Sequence, residues 1–175
     1  MIILKNTYLT IELTQQGAEL LSIKDMEGQE YLLRDEKHWG YYLEFEHPED
    51  LTAMGLDAQT GLLKRNHRPF GKKVTRIDLD KSLFKEDALI FQNLKSEYLS
   101  LKSRKTNKEV RFHIREFPFL GIWTTTGSAP FICIEPWVGH ADYEDFHGEF
   151  MEKEDNVILS PGESATHTYI IEIRY

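Results

Sequence analysis

The stretch FPFLGIWTTTGSAPFICIEPWVG, residues 117–139, decides the fold. It reads as a strand, a turn punctuated by glycine, serine and proline, and a second strand carrying one glutamate among apolar neighbours. Side chains alternate across a strand, so Phe131, Cys133, Glu135 and Trp137 share one face while Ile132 and Ile134 point the other way. Apolar residues on both faces predict that both are covered. Glu135 is therefore expected in a sheltered cavity, where a carboxylate needs either a partner, such as Arg111 or Arg115, or a chemical role.

Outward from this pair of strands the chain continues in the same idiom. Leu9, Ile11 and Leu13 alternate with Tyr8, Thr10 and Glu12, and AELLSIKD follows after Gln15-Gln16-Gly17. A turn at Glu27-Gly28 leads to EYLLR, read as a third strand, and residues 34–40 to a loop. YYLEFE alternates cleanly and ends at His47-Pro48-Glu49-Asp50. Shorter segments are expected near residues 51–56 and 61–63, then a basic loop. SLFKED predicts one helical turn with Ser82 as N-cap, and ALIFQNL a buried strand. EYLSLKSR, a turn at Asn107-Lys108, the Val110-Phe112-Ile114 alternation and THTYIIEIRY complete eleven or twelve strands. The whole predicts a single all-β domain over residues 1–175, an antiparallel β-sandwich.

Composition narrows the partners. The 175 residues suffice to bury roughly 70% of the unfolded surface. The apolar runs are far too short for a membrane span, and MIILKNTY shows no signal peptide. The lone Cys133 excludes an internal disulfide and fits a reducing compartment, so the cytoplasm is the expected location. A net charge of -8 disfavours nucleic acid. That charge is uneven. Residues 140–155 hold Asp142, Glu144, Asp145, Glu149, Glu152, Glu154 and Asp155 against Lys153 alone. Lys64, Arg65, Arg68, Lys72, Lys73 and Arg76 fall in a run without an acid. Both runs are read as solvated loops. No phosphate loop, nucleophile elbow, HExxH or CxxC occurs, and neither a metal nor a cofactor is expected.

Several stretches together carry a resemblance. FPFLGIW, GSAPFICIEPWVG, DALIF (residues 87–91), VILSPGES, and NTYLTIELTQQGAELLSIKD followed by GQEYLL resemble the LacX-type branch of the aldose 1-epimerase (mutarotase) family. The resemblance implies a galactose mutarotase-like supersandwich with a hexose bound on a concave face. It implies that Glu135 is the base removing the C1 hydroxyl proton while a histidine protonates the ring oxygen. By the same resemblance Asp87 binds sugar hydroxyls. Trp137, sharing the face of Glu135, either stacks on the sugar or belongs to the core.

The chain also departs from the family. The family's two histidine motifs, like HGFAR and GGHPAFN, are absent, and KHWG runs straight into YYLEFEHPED. A central block is thus expected to be missing, with a junction near residues 40–41, leaving an incomplete sandwich. Among the seven histidines His140, five residues beyond Glu135, is the least implausible substitute acid. The expected function is interconversion of hexose anomers, impaired in this shortened chain. The alternatives are a non-catalytic carbohydrate-binding protein and a hexose-6-phosphate 1-epimerase using the 64–76 basic run. Open sheet edges left by the missing block predict that the sheets re-pair across the junction, that the chain forms a homodimer through an edge, or that it aggregates.

Overall fold

The computed structural model describes residues 1–16, 19–32, 40–127 and 131–174. Eleven strands occur among them: β1 (Ile2–Lys5), β2 (Leu9–Leu13), β3 (Leu20–Asp25), β4 (Tyr41–Leu56), β5 (Leu63–Asp78), β6 (Leu89–Gln92), β7 (Tyr98–Ser103), β8 (Glu109–His113), β9 (Phe119–Trp123), β10 (Cys133–Trp137) and β11 (Ile171–Arg174). They form three antiparallel sheets in the orders β1-β2-β3, β10-β9-β6 and β11-β8-β7-β4-β5.

Alternation builds the sandwich. Leu89, Ile122 and Ile134 stand side by side across β6, β9 and β10. With Phe91 and Leu120 they meet Leu43, Leu99 and Leu101 of the five-stranded sheet in the main core. The next row, Ile90, Gly121 and Glu135, must then face outward. The all-β antiparallel sandwich expected from the sequence is the architecture found.

β4 differs from its reading. The residues His47-Pro48-Glu49-Asp50 do not end the strand; they form irregularities within a 16-residue strand whose register against β5 shifts repeatedly. Its partner β5, also 16 residues, contains the basic run taken for a loop. Most of its residues between Lys64 and Arg76 are exposed, so no clean alternation marks it as a strand. The bulge is locked by Glu49, 2% exposed. Its carboxylate accepts from the backbone N–H of Lys95 (2.9 Å) and Ser96 (2.7 Å) and from the Ser96 hydroxyl (2.7 Å).

Three smaller readings are corrected. The EYLLR segment contributes only an isolated bridge, Glu30 to Lys24, within the described residues. The turn at SLFKED is a 3-10 helix over Lys81–Phe84 capped by Asp80, whose side chain accepts from the Ser82 N–H. Ser82 is inside that turn rather than its cap, because Asp80 already supplies the acceptor. Most of the 34–40 loop, with His38 in it, and residues 128–130 of the GSAP turn lie outside the described residues.

Among the described residues apolar side chains remain in water at several places, Met26, Phe150 and Met151 included. β1 exposes Ile2, Ile3 and Leu4, and the segment near residues 157–170 exposes Val157, Ile158, Leu159 and Ile170. β10 is also an unpaired edge, and Pro136, which has no N–H to offer, sits in it.

The Glu49 lock is testable. Glu49→Ala leaves the buried Ser96 N–H and the part-buried Lys95 N–H without their acceptor, and the Ser96 hydroxyl with only the His47 carbonyl at 3.4 Å, and is expected to cost roughly 2–4 kcal/mol. Asp50→Ala, which removes an exposed carboxylate bonded to the Lys73 N–H, is expected to cost less than about 1 kcal/mol. Urea denaturation of the two variants measures the difference.

Candidate functional site

Glu135 lies at the centre of β10, half-buried on the outer face of the three-stranded sheet. A second apolar cluster covers part of that face: Met54 and Leu63 from the far end of the β4–β5 hairpin close over Ala88, Ile90 and Phe119. Trp123, Trp137 and Tyr143 form its margin. The expected shelter is therefore partial; it covers β6 and β9 and thins towards the β10 edge.

The indole N–H of Trp137 donates to Glu135 Oε2 at 3.1 Å. The ring lies against Gly121, the residue opposite Glu135, where an added Cβ would come within 2.7 Å of it. A glycine here is what lets the indole reach down onto the sheet. Trp137 is thus joined to Glu135 and also packed at the rim of the second cluster. The arginine partners considered for Glu135 are engaged elsewhere. Arg111 pairs with Glu109 (3.0 Å) and Glu172 (3.5 Å), and Arg115 with Glu97 (3.1 Å).

Cys133 shares the face. Burial, with the Glu135 charge and a hydrogen bond to Glu135 adding to it, pushes its thiol up to about 11. On the opposite side of the strand the Tyr169 hydroxyl donates to the Ile134 carbonyl at 3.3 Å. Burial of that end of the side chain and the Glu135 charge push the phenol up as well.

Asp87 is not brought beside Glu135. It precedes β6 by two residues, in a left-handed conformation (φ 73°) that aspartate tolerates, and accepts from the Ala88 N–H at 2.7 Å. By register it stands three positions along and two strands across from Glu135, about 10 Å in each direction.

His140 is 8% exposed and already committed. Its ring meets Phe119 and Tyr143 edge-on, at 4.9 and 5.2 Å. Nδ1 lies 2.6 Å from the Ala141 carbonyl and Nε2 3.1 Å from Asp155 Oδ2. No hydrogen bond links it to Glu135; it anchors the acidic loop instead.

The acidic loop and the basic run, far apart in the sequence, meet in the fold. Arg65 binds Glu154 through both terminal nitrogens (2.9 and 2.8 Å) and Asp145 through Nε (3.0 Å), while stacking on the Tyr143 ring at 3.8 Å. Lys153 pairs with Asp142 at 2.9 Å, and Leu63 exchanges backbone hydrogen bonds with Asp142 and Glu144. Partners 80 or more residues apart leave no local spacing signal, so the clamp is invisible in the sequence. The clamped loop walls an open cavity of about 630 Å³ against Pro136 and Trp137, with Lys153, Asp155 and Asn156 along its side. Such a volume lies within the range of small-molecule sites.

The thiol gives a direct readout of the Glu135 environment. At pH 8 the thiolate share of Cys133 is expected to be about 100-fold below that of a cysteine at the ordinary pKa, so the thiol reacts more slowly with a thiol reagent. Glu135→Gln removes the negative charge and should speed the reaction, as measured by stopped-flow labelling.

Protein LacX of Lactococcus lactis subsp. lactis, in plasmid and chromosomal forms, is 41% and 40% identical over 109 residues, 62% of this chain. The match spans only 36% of those relatives' length. A galactose mutarotase-like protein from Lactobacillus casei superposes with a TM-score of 0.86 at 16% identity, over 99% of this chain and 100% of that one. A galactose mutarotase related enzyme from Lactobacillus acidophilus gives 0.61 at 23% identity, over 94% of this chain and 58% of that one. No family model matches. The chain has the galactose mutarotase-like fold and is related in sequence to LacX, in agreement with the resemblance to aldose 1-epimerases.

Proposed function

We propose that this aldose 1-epimerase-like chain binds a hexose against the outer face of β10 and has little or no mutarotase turnover of its own. The observation that carries the reading is the Glu135 carboxylate held at 3.1 Å by the indole of Trp137, a residue that itself lines an open cavity. In this reading Glu135 is the general base for the C1 hydroxyl, Trp137 offers its ring to the apolar side of the sugar, and Asp87 binds hydroxyls further along the sheet.

Ring opening requires two simultaneous proton transfers. A base takes the C1 hydroxyl proton and an acid delivers one to the ring oxygen, after which the chain form rotates about C1–C2 and recloses as the other anomer. Glu135 serves only the first transfer. His140 is a poor second partner, because both ring nitrogens are engaged and the ring is 8% exposed. A base without its acid forfeits the factor of about 10²–10⁴ that a positioned proton donor contributes. The hexose 6-phosphate alternative loses its motive, since no cation of the 64–76 run lines the cavity at Trp137.

We further place the protein in the cytoplasm, on its lone cysteine; no helix among the described residues is long and apolar enough to cross a membrane. We attribute the short match to LacX to a central block missing near residues 40–41. The exposed β1 and the open edge of β10 would then pair with a second copy.

Titration with galactose and glucose, followed by tryptophan fluorescence, is expected to show saturable binding that Trp137→Ala abolishes and Glu135→Gln retains. Polarimetry of freshly dissolved α-galactose is expected to show at most a small acceleration over buffer, lost in Glu135→Gln. Absence of any binding overturns the reading. Separately, light scattering behind a sizing column is expected to give a dimer, and a monodisperse monomer counts against edge pairing.

A further inference from the structure

The five-stranded sheet has an outer face of its own. Leu43, Leu101 and Val110 turn into the sandwich, so Tyr42, Lys102 and Glu109 turn out, aligned across β4, β7 and β8. Where the β7–β8 hairpin closes, this face sinks into a cleft of about 530 Å³ with polar walls. Its lining includes Arg76, Lys102, Arg104, Lys105 and Lys108, against the single carboxylate of Glu109. Asp78, Glu44 and Asp25, beside the cleft, pair with four of these five cations.

The carboxylates nearby orient the cations from one side. Asp78 accepts from Arg76 (2.6 Å) and from Arg104 (2.7 Å), which holds the Asp78 carboxyl below the usual range. The Arg76 guanidinium also lies on the Tyr42 ring, 3.8 Å from its centre. Lys102 bridges Glu44 and Glu109. Each cation fixed in this way keeps further N–H groups to donate. Among the described residues Lys105 has no ion-pair partner, and it sits in the hairpin beside the Thr106 hydroxyl and the Asn107 amide.

We propose that this cleft binds the dianionic phosphate group of a small phosphorylated metabolite. Two forked guanidiniums fixed side by side, flanked by ammonium groups and hydrogen-bond donors, match the several acceptor oxygens of a phosphate. The cleft has room for more than the phosphate itself, within the size range of metabolite sites. The site is independent of the hexose reading. Glu135 lies on the outer face of the opposite sheet, with the main core between, so one small ligand does not span both.

Calorimetric titration of the intact chain at low salt, with glycerol 3-phosphate and with inorganic phosphate in separate runs, tests the site. Saturable binding is expected, weakened at least tenfold by Arg104→Ala/Lys105→Ala and by raised ionic strength. Tighter binding of the ester assigns the site to a phosphorylated metabolite; equal affinity assigns it to free phosphate and overturns the metabolite. Lys72→Ala/Lys95→Ala, which removes two exposed cations outside the cleft, is expected to leave the affinity unchanged. Equal loss in both double variants, or no binding in the native chain, overturns the proposal. Circular dichroism verifies that the variants fold.

Discussion

Strict alternation along β10 governs the placement of nearly everything of interest. Ile134, 9% exposed, is drawn into the layer between the β10-β9-β6 sheet and the five-stranded sheet together with Ile122 and Leu89. A strand has only two sides, so burying Ile134 puts Cys133, Glu135 and Trp137 together on the other. The carboxylate is not in that position because some charge attracts it there. It is held outward by the hydrophobic effect acting on its neighbours, and the indole then orients it. The glycine across the ladder admits that indole, so the site rests on three consecutive constraints of backbone and packing rather than on electrostatics.

Much of this was legible in advance for a simple reason: β9 and β10 are short and regular, β9 buried on both faces and β10 most deeply at Ile134, and side chains along them alternate with a period of two. The shared face of Cys133, Glu135 and Trp137 follows from position alone. β5 was not legible, because most of its residues between Lys64 and Arg76 face water and an exposed strand carries no alternation to read. β4 was legible only to residue 46. Its bulges break the period, and the acceptor that makes them stable, Glu49, finds its donors nearly fifty residues later at Lys95 and Ser96. The clamp of Arg65 on Asp145 and Glu154 escaped for the same reason. Two oppositely charged runs look like two loops until the fold lays one across the other.

The histidine closest in sequence to the carboxylate illustrates the gap between proximity in chain and proximity in role. His140 is wedged between two aromatic rings with a carbonyl at one nitrogen and Asp155 at the other. Those contacts make it a post for the loop that walls the cavity. The face of β10 therefore presents a carboxylate and an aromatic surface, with His140 bonded elsewhere.

The length of β4 has a mechanical meaning. One continuous strand contributes Leu43 and Phe45 to the five-stranded side, Leu51 and Ala53 further along the same core, and Met54 to the cluster over the outer face of the other sheet. Neither layer can loosen without pulling on that shared rod. Both halves of the sandwich should therefore melt as a single cooperative unit, and the β4 amides, opening only with the whole, should be the last to exchange with solvent.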